Sequence, residues 1–312
     1  MKWHIHAVLV LGVALSGCET APDPATPREP GGLVNASSPA GAPANAAYDF
    51  EPFDVPAELG NYTSVYGINN SGVMVGNFLS VDGSIHGFLY KRGHFIDVAI
   101  PGAGDEDRGA LGDLNDAGTA LGAFFDPDGG PHMFLRSLTG KITLLPDIAP
   151  GVFVADGTGI NNAGTVVGTY IDAAGTHGFI LRSGAYETFD YPGARRTRLG
   201  QINNHGLITG FWADSAGSAH GFVLDHGNVE AVAVPGAVST RVTGINDDGD
   251  ATGFYNGADG VFHGFLYSHG VFSTLDYPGS TDSAAFGING HGVIVGTYNE
   301  FSFGMVATPA IP

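Results

Sequence analysis

A six-residue phrase recurs six times along this chain and constrains its architecture more tightly than any other feature. It reads Gly67-Ile-Asn-Asn-Ser-Gly72, Asp113-Leu-Asn-Asp-Ala-Gly118, Gly159-Ile-Asn-Asn-Ala-Gly164, Gln201-Ile-Asn-Asn-His-Gly206, Gly244-Ile-Asn-Asp-Asp-Gly249 and Gly287-Ile-Asn-Gly-His-Gly292. The third residue falls at Asn69, Asn115, Asn161, Asn203, Asn246 and Asn289, at spacings of 46, 46, 42, 43 and 43 residues. A fixed period of this size belongs to tandem architectures, in which each unit buries its apolar face against its neighbours.

Each unit holds four short apolar or alternating segments separated by turn signals, as at residues 186–191, 197–202, 207–212 and 220–224. Pro101-Gly102, Pro192-Gly193, Pro235-Gly236 and Pro278-Gly279 place Pro and Gly where a type II turn needs them, while Asn-x-x-Gly and Asp-containing Gly turns close the other joints. Links this short make neighbouring strands antiparallel. Four such strands per repeat, six times over, predict an all-β fold, a six-bladed β-propeller of four-stranded antiparallel blades. A β-solenoid would have shorter rungs, and a transmembrane barrel needs strands of about 9–11 residues. If the Gly-Ile-Asn strand is innermost, residues 50–56, which repeat the text of residues 186–192, become the outermost strand of the last blade. The ring would then be closed by its own N-terminal strand.

The first 47 residues differ in character. Residues 1–18 pair a basic start with an apolar run too short to span a bilayer, the pattern of an export signal. Leu15-Ser16-Gly17-Cys18 resembles the lipobox of bacterial lipoproteins, which implies cleavage before Cys18 and lipidation of its thiol. Cys18 is the sole cysteine, so an exported domain has no disulfide and is stable by burial alone. Residues 19–47, rich in Pro, Ala and Gly, read as a disordered tether, and residues 48–312 as the propeller. The expected location is the cell envelope, on the periplasmic or cell-surface side, with membrane contact through the lipid only. A net charge of −19 with 12 Lys plus Arg argues against nucleic acid and against docking on anionic lipid.

The repeat text resembles the HAF-type extracellular repeat family, whose units read Gly-Ile-Asn-x-x-Gly-x-Val-Val-Gly followed by His-Ala-Phe-Leu-Tyr. Here the second half is His86-Gly-Phe-Leu-Tyr90, His177-Gly-Phe, His220-Gly-Phe and His263-Gly-Phe-Leu-Tyr267, with His132-Met-Phe diverging and the sixth unit lacking the His. The resemblance implies an exported β-repeat protein and no particular activity.

Under this arrangement the Pro-Gly links and Asp-Gly hairpins emerge on one face and the Asn-x-x-Gly turns on the other. The Asn face is monotonous, whereas the Pro-Gly face varies from unit to unit, as a blade-specific function requires. Arg108, Arg195, Arg196, Arg198 and Arg241 fall in these variable links or at the start of the inner strand. Converging guanidinium groups suit carboxylate, sulfate or phosphate. Asp156 is the one acid placed to act beside them as a base. Phe78, Phe124, Tyr170, Trp212, Tyr255 and Tyr298 recur two residues after a Gly, a repetition that favours packing between blades, and Trp212, the sole Trp outside the signal, is the one added to the binding site. The alternative is that Asp105, Glu106, Asp107 and Asp156 neutralise the arginines in a surface network. The repeated His86, His132, His177, His220 and His263 are expected to be hydrogen-bonded within their own blades rather than to share a metal. Asp126-Pro-Asp128-Gly129 and the stretch from Asn246 to Asp250 read as turns, since neither completes a calcium loop. Zinc, phosphate-loop and nucleophile-elbow motifs are absent, no cofactor is implied, and no catalytic residue can be named. The expected function is a binding module for an anionic small molecule or glycan. Two alternatives are a lyase or hydrolase of polysaccharide or peptide built on an arginine clamp, and an adhesive module whose partner is a surface protein.

Overall fold

The computed structural model describes residues 48–100, 103 and 109–310. Cys18, the export signal, the tether, and Arg108 with Asp105, Glu106 and Asp107 lie outside the described residues. The described chain forms 24 strands, in antiparallel four-stranded sheets for the first, second, fifth and sixth repeats and one eight-stranded sheet that spans the third and fourth. In the fourth repeat the strands are Arg196–Ile202, Ile208–Ala213, Ala219–Asp225 and Asn228–Val232, each paired with the next. The third and fourth sheets are continuous through a single parallel bridge between Thr176 and Arg196.

Both halves of the repeat text are explained by one register. The Gly that ends Val-Val-Gly in the second strand lies opposite the Phe of His-Gly-Phe in the third, as Gly168 does opposite Phe179. A Cβ on Gly168 would stand 2.1 Å from the Asp156 carbonyl oxygen and 2.7 Å from the Phe179 ring. The glycine therefore makes room for the ring. Phe88, Phe134, Phe179, Phe222 and Phe265 are the largest fully buried side chains, one in each of the first five repeats. Together with aliphatic residues of neighbouring strands they form apolar clusters between and within the sheets.

The motif asparagine uses both ends of its amide. Asn69 Oδ1 accepts from Ser71 N and Val73 N at 3.0 Å each, which shapes its own turn, and Gly72 completes that turn at φ 71°. Asn69 Nδ2 donates to the Asn115 carbonyl of the next repeat at 3.0 Å. The same donation runs from Asn115 to Asn161, Asn161 to Asn203, Asn203 to Asn246, Asn246 to Asn289 and Asn289 back to Asn69, at 2.9–3.3 Å. A carboxamide can accept locally and donate across at the same time. Aspartate at this position would close the turn but supply no donor to the neighbour's carbonyl, which would keep only the Gly amide of its own turn.

Strand Tyr48–Pro52 is the outermost strand of the last sheet, paired with Phe303–Pro309 so that Tyr48 faces Pro309 and Pro52 faces Met305. The chain then crosses to the first repeat. Phe53 donates its amide to Gly304 O at 2.8 Å while its ring packs on Tyr90 and Phe95, at centroid distances of 4.8 and 5.3 Å.

Candidate ligand site at the variable mouth

The first strands of the repeats are Gly60–Ile68, Ala110–Leu114, Val154–Ile160, Arg196–Ile202, Ser239–Ile245 and Ser283–Ile288. Their side chains converge, because Gln201 Nε2 donates to both Asp113 Oδ1 and the Tyr66 carbonyl at 3.2 Å. Asp113 and Gln201 occupy the first position of the motif, where the other four repeats have Gly67, Gly159, Gly244 and Gly287. A Cβ on Gly67 would lie 2.7 Å from Asp113 Oδ1, so two long side chains fit at this level only because the others are glycines. Asp113 Oδ2 also accepts from Ile160 N at 3.0 Å. Burial pushes the Asp113 carboxyl up to about 7, against the lowering effect of the Ile160 and Leu114 amides. Sequence reading passed over both residues, although two polar side chains among four glycines were the visible signal.

On the asparagine side the mouth is a depression of about 60 Å³ floored by Asp113 and Gln201 and rimmed by the asparagine turns. That is space for a few waters, whereas ligand pockets run to several hundred Å³. Its rim is already engaged. Asn70 N and Nδ2 donate to the Asp116 carboxylate at 3.0 and 3.1 Å, and Asn204 N and Nδ2 donate to Asp247 at 2.8 Å each.

The opposite mouth is electrostatically unfinished. Asp156, Arg198 and Arg241 each stand five residues before the motif asparagine, in three consecutive repeats, where the remaining repeats have Ser64, Ala110 and Ala284. Burial lowers the Arg198 pKa, the Asp156 charge opposes that shift, and Arg196 adds to it. Arg241 is lowered by burial and then by Arg198. Asp156 is 7% exposed and sits close enough to raise the Tyr66 phenol, after burial and against Ser64. Among the described residues the Arg198 guanidinium makes no hydrogen bond, and Arg241 makes one, from Nη1 to Ser239 Oγ at 3.4 Å. Arg241 lies instead over the rings of Phe254, Phe211 and Phe262 at 5.3–5.6 Å. Phe211 is the cross-strand partner of Arg198 and Phe254 that of Arg241. Two guanidinium groups with most of their N–H donors unengaged thus share an aromatic surround.

Other expected members are placed elsewhere. Arg195 and Arg196 are exposed, and Arg196 approaches the site only through its effect on Arg198. Trp212 is partly buried. Its ring stacks on Tyr191 and on His220, with centroids at 4.4 Å and interplanar angles of 5° and 22°. It belongs to a packed stack, for the same reason that Phe78, Phe124, Tyr170 and Tyr255 lie on the histidines of their own repeats. Of the acids in the network alternative, Asp105, Glu106 and Asp107 lie outside the described residues and Asp156 acts on Arg198 through its charge, while Asp282 accepts from Glu300 N at 3.0 and 2.8 Å and from the Thr281 hydroxyl at 3.1 Å.

Each repeated histidine is held by aspartate within its own sheet. His177 Nδ1 contacts Asp190 at 2.9 Å, His263 contacts Asp276 at 2.8 Å and Asp259 at 3.2 Å, and His220 contacts Asp214 at 3.0 Å. In the first repeat Ser84 stands between His86 and Asp82. Ser84 Oγ lies 2.9 Å from His86 Nε2, and His86 Nδ1 lies 2.9 Å from Asp97. This chain mimics a nucleophilic triad in connectivity alone, because Ser84 is buried and its hydroxyl is also bound to Asp82. Among the described residues no three His, Cys, Asp or Glu side chains are placed to hold a metal ion. Asp126 Oδ1 accepts from Asp128 N and Gly130 N, as a turn does.

Antiparallel four-stranded sheets whose inner strands converge on an axis have counterparts among solved structures. TolB from Acinetobacter baumannii superposes with a TM-score of 0.53 at 12% identity, over 77% of this chain and 64% of that one. AofleA from Arthrobotrys oligospora gives 0.51 at 15% identity, over 84% and 86%. Aleuria aurantia lectin, solved with Fucα1-6GlcNAc, gives 0.50 at 12% identity, over 82% and 98%. The fold is a β-propeller. No protein-family model matches the chain, and no curated protein matches it. Identities this low carry the propeller fold and nothing about its ligand.

Proposed function

We propose that this propeller is a ring of six blades closed by strand Tyr48–Pro52, and that it binds an anionic small molecule or glycan at the mouth lined by Asp156, Arg198 and Arg241. The count of six rests on the six motif repeats and on the cycle of amide donations that returns from Asn289 to Asn69. Closure rests on the pairing of Tyr48–Pro52 with Phe303–Pro309. One observation carries the ligand reading: Arg198 and Arg241 lie side by side, half-buried, in a protein of net charge −19, with almost no hydrogen bonds to described residues. A like-charge pair in partial burial is unfavourable until an anion joins it, and guanidinium forks suit planar oxyanions. Aleuria aurantia lectin, a propeller that this chain resembles in fold, was solved with Fucα1-6GlcNAc, which supports a sugar as the carrier of that anion.

The same reading includes export and a lipid on Cys18, supported by Leu-Ser-Gly-Cys behind an apolar run, and membership of the HAF-type repeat group, supported by the Gly-Ile-Asn and His-Gly-Phe text. A thermal-shift titration with glucuronate, acetate, sulfate and phosphate against glucose tests the ligand. Anions should raise the melting temperature of the full chain and not that of Arg198→Ala, whereas equal responses of the two proteins, or a response to glucose alone, would refute it. Cys18→Ser should leave the membrane fraction, and intact mass should show lipid on the wild-type N-terminus.

A further inference from the structure

The sixth repeat breaks the pattern of the other five where it borders this mouth. Its second hairpin has neither the Asp-containing Gly turn nor the histidine, and reads Tyr298-Asn-Glu-Phe-Ser-Phe303. Asn299, Glu300 and Phe301 have φ of 51°, 57° and 60°, three successive non-glycine residues in the left-handed region. Such residues each cost about 1–2 kcal/mol, and runs of them persist only where the surroundings enforce them. Asp282 provides that enforcement. Its carbonyl accepts from Asn299 N at 3.2 Å, its carboxylate accepts from Glu300 N, and Asn299 Oδ1 accepts from Thr281 N at 2.9 Å.

What the strained turn achieves is the position of one ring. Phe301 lies 6.1 Å from Phe254, 6.2 Å from Phe262 and 6.4 Å from Phe286. Phe254 and Phe262 are two of the rings under Arg241, so Phe301 extends the aromatic surface outward from the guanidinium pair. Phe254 and Phe286 are buried, while Phe262 and Phe301 keep part of their surface open. Tyr62, near the start of the inner strand Gly60–Ile68, and Phe153 and Val238, each just before an inner strand, are more than half exposed. A bare anion needs donors and no rings. A wall of this kind favours a ligand with an apolar flat face next to its charge.

We propose that the mouth is a subsite for a carboxylate carried on a six-membered ring, with the carboxylate on Arg198 and Arg241 and the ring face against Phe262 and Phe301. This rests on the anion-binding reading above and narrows it. Two sources share the chemistry, a uronate sugar and an aromatic acid.

Calorimetric titration of the full chain with glucuronate, benzoate, acetate and glucose tests the proposal. Glucuronate or benzoate should bind roughly tenfold or more tightly than acetate, since ring stacking contributes about 1–3 kcal/mol. The preferred one of the two identifies the source. Phe301→Ala should erase most of that preference while leaving acetate binding unchanged, Phe262→Leu, which also removes a ring under Arg241, should weaken both, and Arg198→Ala should abolish carboxylate binding altogether. If Phe301→Ala does not fold, Phe301→Leu decides. Equal affinity for acetate and the ring carboxylates overturns the ring subsite but leaves the anion site standing. Binding of none of the carboxylates overturns both.

Discussion

The two mouths of the propeller are built from the same strands and end in opposite states. At the asparagine mouth every repeat contributes the same side chain, each donor finds the next repeat's carbonyl, and the outer ring of Asn70, Asp116, Asn162, Asn204 and Asp247 is largely paired as well. At the variable mouth equivalent positions hold Ser64, Ala110, Asp156, Arg198, Arg241 and Ala284, and the two guanidinium groups remain short of acceptors. Uniformity serves closure, because identical neighbours can satisfy one another around a ring. Mismatch leaves unengaged donors, which is what a ligand site needs.

The comparison can be broken first at the seam. Deleting residues 48–56 removes the strand paired with Phe303–Pro309 and the rings of Phe50 and Phe53, and should destabilise the domain by roughly 5 kcal/mol, read as urea or thermal unfolding. An unchanged melting temperature would separate the asparagine ladder from ring closure. Next in size is the ladder itself. Asn161→Ala removes one of the two donors to the Asn203 carbonyl and leaves the Ala163 and Thr165 amides without their side-chain acceptor, and should cost about 3 kcal/mol, while Arg195→Ala at the other mouth should stay within about 0.5 kcal/mol.

A third effect depends on pH. The folded carboxyl of Asp113 lies near 7 against an ordinary value of 3.8, so between these values the native state holds a proton that the unfolded chain has released. Stability from this group therefore falls as pH rises through that window. Relative to Asp113→Gly, the residue four other repeats carry, the wild type should lose about 2 kcal/mol between pH 5 and pH 8. Parallel pH profiles for the two proteins would remove Asp113 as the cause. The smallest effect on stability should come from Arg198→Ala, which gives up the attraction of Asp156 but also relieves burial of the charge and repulsion with Arg196 and Arg241, and shifts unfolding by less than about 1 kcal/mol while removing anion binding. A loss of several kcal/mol would make Arg198 a structural residue.

Much of the fold was legible because its rules are local. Asn-x-x-Gly marks a turn wherever it occurs, Pro-Gly marks a link, and the segments between them have strand length. The pairing of Tyr48–Pro52 with the last sheet was visible as repeated text. The site was legible only in part. Arg198, Arg241 and Asp156 stood out as charged residues at one repeat position, and they do come together. Trp212 stood out for its rarity and turned out to be packed, since an aromatic at that position stacks on the histidine of its own repeat in other blades too. Phe211, Phe254 and Phe262 were invisible as site residues because phenylalanine is common in this chain and reads as core.

What the sequence by itself determined is the content of one repeat: four strands, their turns, and the Gly opposite Phe that lets the sheet fill its own core. These depend on contacts within a few tens of residues, which the repeated text states directly. Tertiary structure decided what happens between repeats. It places the asparagine amide of residue 289 on the carbonyl of residue 69, 220 positions away, and brings Gln201 to Asp113 across the axis. It also lays Arg241 over rings from two blades and lets Phe301 of a third extend the wall. Such groupings follow from the angle and distance between packed sheets, and strand text carries no record of either.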